Sequence, residues 1–380
     1  MVDDRGGSDA DFALANSVSV ALMLVSAPLL GAVADQLPRR VPMLAVATLG
    51  CCATTALLGS GGLAGSLALF VVANYLFQAS LIPYDALLPV VSTEETRGRI
   101  GGLGVGIGYV GSLIGIGVGL AVTAAGGDKP VIFRITALLF LLFALPCFFW
   151  VRERPRPPAK SRGGLFARAM ADVRVTAARL RGYPDLRRFL IGRVFYADAA
   201  NTLIAFMGIY ATREIGFSDT QKDVVLLAGI AAAVVGGLLW GRAVDRVGPK
   251  RTLFRVLGLW IGTLALTSAI AFLDLPRGLF WLVAALAGIA LGGTWAADRP
   301  LMLRLSPPRY LGQFYGLYAM AGRFAAILGP LLWATIVDWL RWGRPTAVAS
   351  LIVMVAVAAV VLRPLDDAPR SWSAAEQVPV

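Results

Sequence analysis

Histidine is absent from this chain. No imidazole is available to ligate a metal, shuttle a proton or activate a serine. Cysteine is scarce, and Cys51, Cys52 and Cys147 all lie inside apolar runs. They read as small core residues, with no disulfide framework and no metal site. Charged residues make up only 15% of the chain. No Gly-Lys-Ser/Thr loop is there to cradle a phosphate, so ATP-driven transport has no support. The glycine-rich stretch from Gly104 to Gly119 is apolar throughout and follows no strand, which excludes a dinucleotide site. Met1–Asp11 is polar and acidic and is no secretory signal. An enzyme, a metal and a cofactor are all left without residues to carry them.

Apolar residues are abundant, at 57% with a mean hydropathy of +0.72. A soluble chain of this length cannot bury that much. Apolar runs of about 20 residues recur, as bilayer thickness requires. The spacing predicts eleven spans: Phe12–Ala34, Val41–Gly59, Gly65–Val90, Ile100–Ala125, Val131–Val151, Phe189–Thr212, Val224–Trp240, Thr252–Leu273, Leu279–Ala297, Leu311–Val337 and Thr346–Leu362. The formal charge is +12 without a basic groove interleaved with aromatics, which argues against nucleic acid as a partner. Assigning alternate loops to the two sides concentrates Lys and Arg on the side of Asp35. That asymmetry predicts a multi-pass protein of the cell (plasma or inner) membrane, with that side and the C-terminus cytoplasmic and the N-terminus outside.

One short stretch organises the rest: Gly241-Arg242-Ala243-Val244-Asp245-Arg246-Val247-Gly248-Pro249-Lys250-Arg251, between two apolar runs. Gly31-Ala32-Val33-Ala34-Asp35-Gln36-Leu37-Pro38-Arg39-Arg40 repeats its order 210 residues upstream. An Asp at a helix end accepts hydrogen bonds from a neighbouring helix N-terminus, where the macrodipole favours negative charge. The Gly lets two helices approach closely, and the basic residues stay at the headgroup boundary. Two ordered copies predict an internally duplicated membrane protein. The pattern resembles the loop signature of the major facilitator superfamily, found after the second helix of each six-helix half. The resemblance implies an all-α polytopic fold of two pseudo-symmetric bundles, with about eleven transmembrane helices (five and six). It also implies that Asp35, Arg39, Arg40, Asp245, Arg246, Lys250 and Arg251 form a relay that latches one access state.

The chain divides accordingly into an N-terminal bundle (1–151), a basic cytoplasmic linker (152–188), a C-terminal bundle (189–362) and a cytoplasmic tail (363–380). The upstream hinge follows the first span, whereas the downstream hinge follows the second span of its half. The equivalent of a first helix is therefore expected to be missing, through a late start or a natural shortening. In the linker Phe166, Met170, Val173, Ala177 and Leu180 recur at helical spacing, with Arg168, Arg174, Arg179 and Arg181 on other faces. This predicts a helix lying on the leaflet or a solvated linker helix. Gly104, Gly108, Gly111, Gly115 and Gly119, then Ala233, Gly237 and Gly241, then Gly288, Gly292 and Ala296, predict close helix packing.

Further segments narrow the resemblance. They are Ile82-Pro83-Tyr84-Asp85-Ala86-Leu87-Leu88-Pro89, Arg97-Gly98-Arg99-Ile100-Gly101-Gly102-Leu103-Gly104 and Gly108-Tyr109-Val110-Gly111 in the first half. The second half has Arg193-Val194-Phe195-Tyr196-Ala197-Asp198-Ala199-Ala200-Asn201-Thr202 and Gly208-Ile209-Tyr210-Ala211. It continues with Leu291-Gly292-Gly293-Thr294-Trp295-Ala296-Ala297-Asp298-Arg299, Leu305-Ser306-Pro307-Pro308, Gln313-Phe314-Tyr315-Gly316-Leu317-Tyr318 and Leu328-Gly329-Pro330. Together, from about Asn16 to the last span, they resemble the vacuole-effluxer-like, or "unknown major facilitator", family. The resemblance implies a transporter, with amino-acid efflux as the associated activity. Two departures stand out: the first helix expected to be missing would take one cavity wall with it, and Ala297-Asp298-Arg299 stands where the family commonly has a Ser-Arg pair.

An ionisable group deep in a span costs about 2.5–3.5 kcal/mol on insertion scales, so each needs a reason. Asp198 and Arg323 lie at similar depths in two spans that enter from the same side. They are expected to pair across a central cavity, or one to bind an ionic part of a substrate; a static salt bridge is the competing reading. Asp198 is also the candidate for proton coupling. Asn74, Tyr75, Gln78 and Asp85 in the third span and Asn201 in the sixth are substrate-contact candidates, with interhelical bonding as the alternative; Trp295 in the ninth either stacks on a substrate or anchors near the interface. Asp298 and Arg299 are expected at a cytoplasmic helix end, as part of the gate. The expected function is alternating-access transport of a small organic solute, with amino acids as the candidate cargo, by a monomer in the lipid bilayer, with protons as the candidate coupling ion. A lipid or amphiphile translocator and a non-transporting scaffold or sensor are the alternatives.

Overall fold

The computed structural model describes residues 7–156, 169–170, 176, 178–373 and 376–377. Its helices are α1 (Asp9–Gln36), α2 (Val41–Ala56), α3 (Leu63–Asp85), a four-residue α4 (Leu88–Val91), α5 (Arg97–Ala124) and α6 (Lys129–Trp150). The second half follows with α7 (Pro184–Arg213), α8 (Asp219–Val247), α9 (Pro249–Phe272), α10 (Leu279–Leu305), α11 (Leu311–Phe324), α12 (Leu328–Ala334) and α13 (Arg344–Leu362). Among the described residues ten helices are long and apolar enough to cross a bilayer, with Pro308–Trp339 counted as one. The eleventh, α2, has only 16 residues. At about 1.5 Å per residue it falls short of a ~30 Å hydrocarbon layer. It ends before the expected Gly59 because that residue turns the chain at φ +85°, a conformation glycine adopts without a steric penalty. The expected linker helix lies largely outside the described residues.

Two boundaries differ from expectation in ways that matter for function. α10 does not stop at Ala297 but runs on to Leu305, so Asp298 and Arg299 sit inside the helix and away from a loop. The expected span Leu311–Val337 is broken: α11 ends at Phe324 and α12 begins at Leu328. Pro330 gives the reason. Its ring clashes with the carbonyl four residues back, so a continuous helix through Ala326 is unfavourable. In the first turn of a new helix its missing N–H costs nothing, because those donors have no intrahelical partner.

Packing follows small residues. α1 lies on α11, α5 on α8, and α8 on α10, while α2 packs on α3 and α6, and α7 and α9 pack on α13. Gly31 faces the Gly312 carbonyl, and Gly316 faces the Ala27 carbonyl. In the other half-to-half contact, Gly98 faces the Gly241 carbonyl and Gly102 the Gly237 carbonyl. Gly288 and Gly292 of α10 rest likewise on the Gly229 and Ala233 carbonyls of α8. The expected glycine ladder on α5 is displaced, however. A Cβ at Gly108, Gly111, Gly115 or Gly119 would meet nothing within 4 Å. The packed positions are Gly98, Gly102 and Gly106, on one face at intervals of four near the start of the helix.

Those contacts set a test. A Cβ at residue 102 would lie 2.8 Å from the Gly241 Cα, and backbone cannot move aside cheaply. Gly102→Ala is expected to lose roughly 1–3 kcal/mol to overpacking, and Gly115→Ala nearly nothing. Thermal unfolding of both variants in detergent checks this; equal midpoints would disprove the assignment of the contact face.

Candidate substrate cavity and its closure

A cavity of about 280 Å³ lies where α3, α7, α10 and α11 converge. Gln78, Arg193, Asn201, Trp295, Arg299 and Arg323 supply its polar lining, together with Asp85. Neighbouring residues on α10 point about 100° apart, so Asp298 and Arg299 serve different partners. Asp298 is fully buried. It pairs with Arg193 Nε at 3.3 Å and accepts hydrogen bonds from the hydroxyls of Tyr196 (3.1 Å) and Tyr318. Arg299 turns the other way, to Asp85 at the end of α3, at 3.2 Å. This second pair joins the two halves across the cavity. A fully buried carboxylate is tolerable only with such partners.

The expected Asp198–Arg323 pair does not form. Asp198 is five residues after Arg193, about 140° further round α7. It faces away from the cavity, and its Oδ2 accepts a 2.7 Å hydrogen bond from the Gly329 N–H, at the start of α12. The break in the membrane span thus presents a helix N-terminus to a buried acid, the favourable sense of the macrodipole. Gly329 is needed there, since a Cβ would collide with Thr202 and lie 2.9 Å from Asp198 Oδ1. Arg323 stays in the cavity wall. Among the α3 candidates only Gln78 and Asp85 line the cavity. Asn74 donates to Asn16 Oδ1 (3.3 Å) and Tyr75 to Ser26 Oγ (3.0 Å), so both tie α3 to α1.

The two hinges bond the halves to each other at one end of the molecule. Asp35, at the end of α1, accepts hydrogen bonds from Gly312 N (2.8 Å) and Gln313 N (2.9 Å), the first turn of α11. Asp245, at the end of α8, accepts from Gly98 N (2.6 Å) and Arg99 N (3.0 Å), the first turn of α5. Each half supplies an acid and the other half supplies the helix start, as a two-fold exchange requires. Arg40, Arg97, Arg304 and Leu311 line one surface cavity of about 330 Å³, which places both hinges on the same side. The cations are less symmetric. Arg40 is 1% exposed, bonds Asp35 at 2.7 Å and reaches the Ala86 carbonyl at 3.0 Å, one residue from Asp85. Asp245 has Arg99 at 3.2 Å, which is 59% exposed. Lys250 turns instead to the carbonyls of Arg363 (3.1 Å) and Leu365. Arg39, Arg246 and Arg251 are exposed.

A profile of the family described as "Vacuole effluxer Atg22 like" matches residues 9–375. The chain belongs to that family. A Bacillus subtilis protein, the uncharacterised MFS-type transporter YxiO, is 28% identical over 75% of this chain and 67% of its own length. Autophagy-related protein 22-1 of Neosartorya fischeri is 27% identical over 70% of this chain and 48% of its own. The chain thus spans about half the length of the fungal relatives it matches. Among solved structures, the human organic anion transporter MFSD10 superposes with a TM-score of 0.70 at 18% identity, covering 93% of this chain and 83% of that one. The E. coli fucose:proton symporter FucP gives 0.68 at 14%, covering 94% and 92%. The fold is that of the major facilitator superfamily, and the protein is a multi-pass membrane protein of an MFS-type transporter family.

In this Atg22-like chain two further acids, outside any recognisable motif, act at helix starts. Glu153, just after α6, accepts from Arg40 N (2.5 Å) and Val41 N (2.7 Å) at the start of α2. Asp367, just after α13, accepts from Lys250 N (3.2 Å) at the start of α9. Their only sequence signal is an acid a few residues past the last span of each half. Arg156 lies close by, 3.6 Å from Asp35, and burial pushes its guanidinium down to about 10, which leaves it charged at neutral pH.

The asymmetry of the cations predicts unequal variants. Asp35→Ala removes two hydrogen bonds and strands a buried guanidinium, at roughly 3 kcal/mol or more. Asp245→Ala removes two hydrogen bonds and an exposed pair, at about 1–2 kcal/mol. Unfolding of the two variants in detergent should rank them in that order; the reverse order would refute the part given to Arg40.

Proposed function

We propose that this chain is a secondary active transporter that moves a small organic solute, amino acids first among them, out of the compartment bordered by the hinge side. The hinges and the C-terminal segment face the cytoplasm in this reading, and the membrane is the cell membrane. Residues 1–151 and 189–362 act as two bundles that rock about the cavity, joined by the linker 152–188, in a monomer. The observation that carries the proposal is the relation between cavity and closure. A charged cavity lies between the halves, and the Asp85–Arg299 pair that crosses it is one residue from the Arg40 contact of the latch. Opening the hinge side must therefore disturb the cavity lining, which is what alternating access requires. The amino-acid assignment draws on the family and its vacuolar effluxers.

Asp198 is the proposed coupling group. It is a buried carboxylate on a helix break, where gain of a proton would weaken its bond to the Gly329 N–H and free α12 to shift. Efflux of labelled leucine from proteoliposomes, with and without a pH gradient, tests both parts. The gradient should raise the rate, and Asp198→Asn should abolish that dependence. Lipid scrambling without amino-acid flux would replace the reading with an amphiphile translocator, and neither activity would leave a scaffold.

A further inference from the structure

We infer that the cavity contains an anion subsite, formed by Arg323 and the Nη1 edge of Arg193, that takes the carboxylate of a small organic acid. Charge balance is the first argument. Three guanidiniums line the cavity. Asp85 answers Arg299 and Asp298 answers Arg193. Among the described residues no carboxylate lies within 4.0 Å of Arg323, and Arg193 lines the same cavity. Two cations that share the wall of one cavity away from bulk water repel each other. The negative end of the α11 dipole, one residue on, offsets only part of that cost.

Orphaned donors are the second argument. Arg193 is 5% exposed, yet its Nη1 is buried without a hydrogen-bond partner. The ring of Tyr318 covers one face of the guanidinium at 3.7 Å, so only its edge can bind. That edge points toward the backbone beside Arg323, since a Cβ on Gly322 would come within 3.3 Å of Nη1. A buried N–H left unmade costs free energy, and a carboxylate oxygen is the acceptor that relieves it best. One carboxylate has two oxygens, enough for both guanidiniums, and its single charge matches the single unanswered cation. A dianion would overcompensate, and a cation would add to the repulsion. The cavity volume of about 280 Å³ lies at the small end of ligand sites, which limits the rest of the molecule to a short chain or one ring.

The subsite gives the transporter reading its substrate class, but binding can be measured without flux. The test uses the full chain in detergent with 4-methylpentanoate, leucine and the neutral isostere 4-methylpentanamide. Both carboxylates should raise the unfolding midpoint with concentration, and the amide should not. Arg323→Gln should weaken carboxylate binding about tenfold or more, and Arg323→Lys should keep part of it. Stabilisation by the amide equal to that by its acid, no stabilisation by either carboxylate, or full binding in Arg323→Gln would overturn the inference. If Arg323→Gln does not fold, the acid–amide contrast on the unaltered protein and the Arg323→Lys titration decide. Leucine efflux separates the two claims. Carboxylate binding without flux removes transport and keeps the subsite; flux without carboxylate-specific binding removes the subsite and keeps transport.

Discussion

A carboxylate set against the first turn of a helix from the other half is the interaction on which this structure depends. A helix start carries N–H groups with no partner of their own and a partial positive charge. At the edge of a bilayer those groups must be met by water or by protein. Asp35 meets them on α11 and Asp245 on α5, while Glu153 and Asp367, just past the last helix of each half, do the same for α2 and α9. The arrangement needs close backbones, which is why Gly31 opposes Gly312 and Gly98 opposes Gly241. Glycine and aspartate in the hinge therefore form one device: the first sets the distance and the second uses it.

That device was legible in the sequence because it is local and occurs twice. Gly31 and Asp35 stand four apart, as Gly241 and Asp245 do, and four residues return to one face of a helix. Their partners were hidden, because Gly312 and Gly98 lie far along the chain and glycine carries no side-chain signal. Glu153 and Asp367 were hidden for the same reason, each acting on a helix start more than a hundred residues away. The membrane spans were visible in hydropathy, but their ends were not. Apolar composition fades before α10 ends, which suggests a helix end at Asp298 and Arg299, whereas Asp298 is buried inside the helix and Arg299 lines the cavity. Hydropathy also runs smoothly through Ala325–Ile327, so the break was masked, although Gly329-Pro330 marks it by backbone chemistry. Depth alone suggested an Asp198–Arg323 pair; rotation about the α7 axis rules it out.

The halves are alike in fold and unlike in charge. Arg193, Asp298, Arg299 and Arg323 all come from the second half, whereas the first contributes Asp85 and Gln78 to the cavity. Arg193 and Asp298 are locked together within one half by two tyrosine hydroxyls, so rocking of the halves need not part them. Asp85 and Arg299 belong to different halves and must separate or slide if the halves move. One pair thus stays within a half, and the other crosses between the halves at the cavity.

This division bears on how a small ligand can drive a large movement. A ligand shifts an equilibrium only by its differential affinity for the two states. Each closing interaction is modest, about 0.5–2 kcal/mol for a carboxylate at a helix start and less for an exposed pair such as Arg99–Asp245. In the proposed alternating-access cycle, several such terms in parallel would give a closure firm enough to keep water out and weak enough to be opened by one charged group arriving in the cavity. A closure built from extensive apolar packing would lack that property. Backbone-to-backbone glycine contacts bury little side-chain area, so the glycine stripes at the half-to-half contacts hold the helices in register without adding much to the cost of parting them.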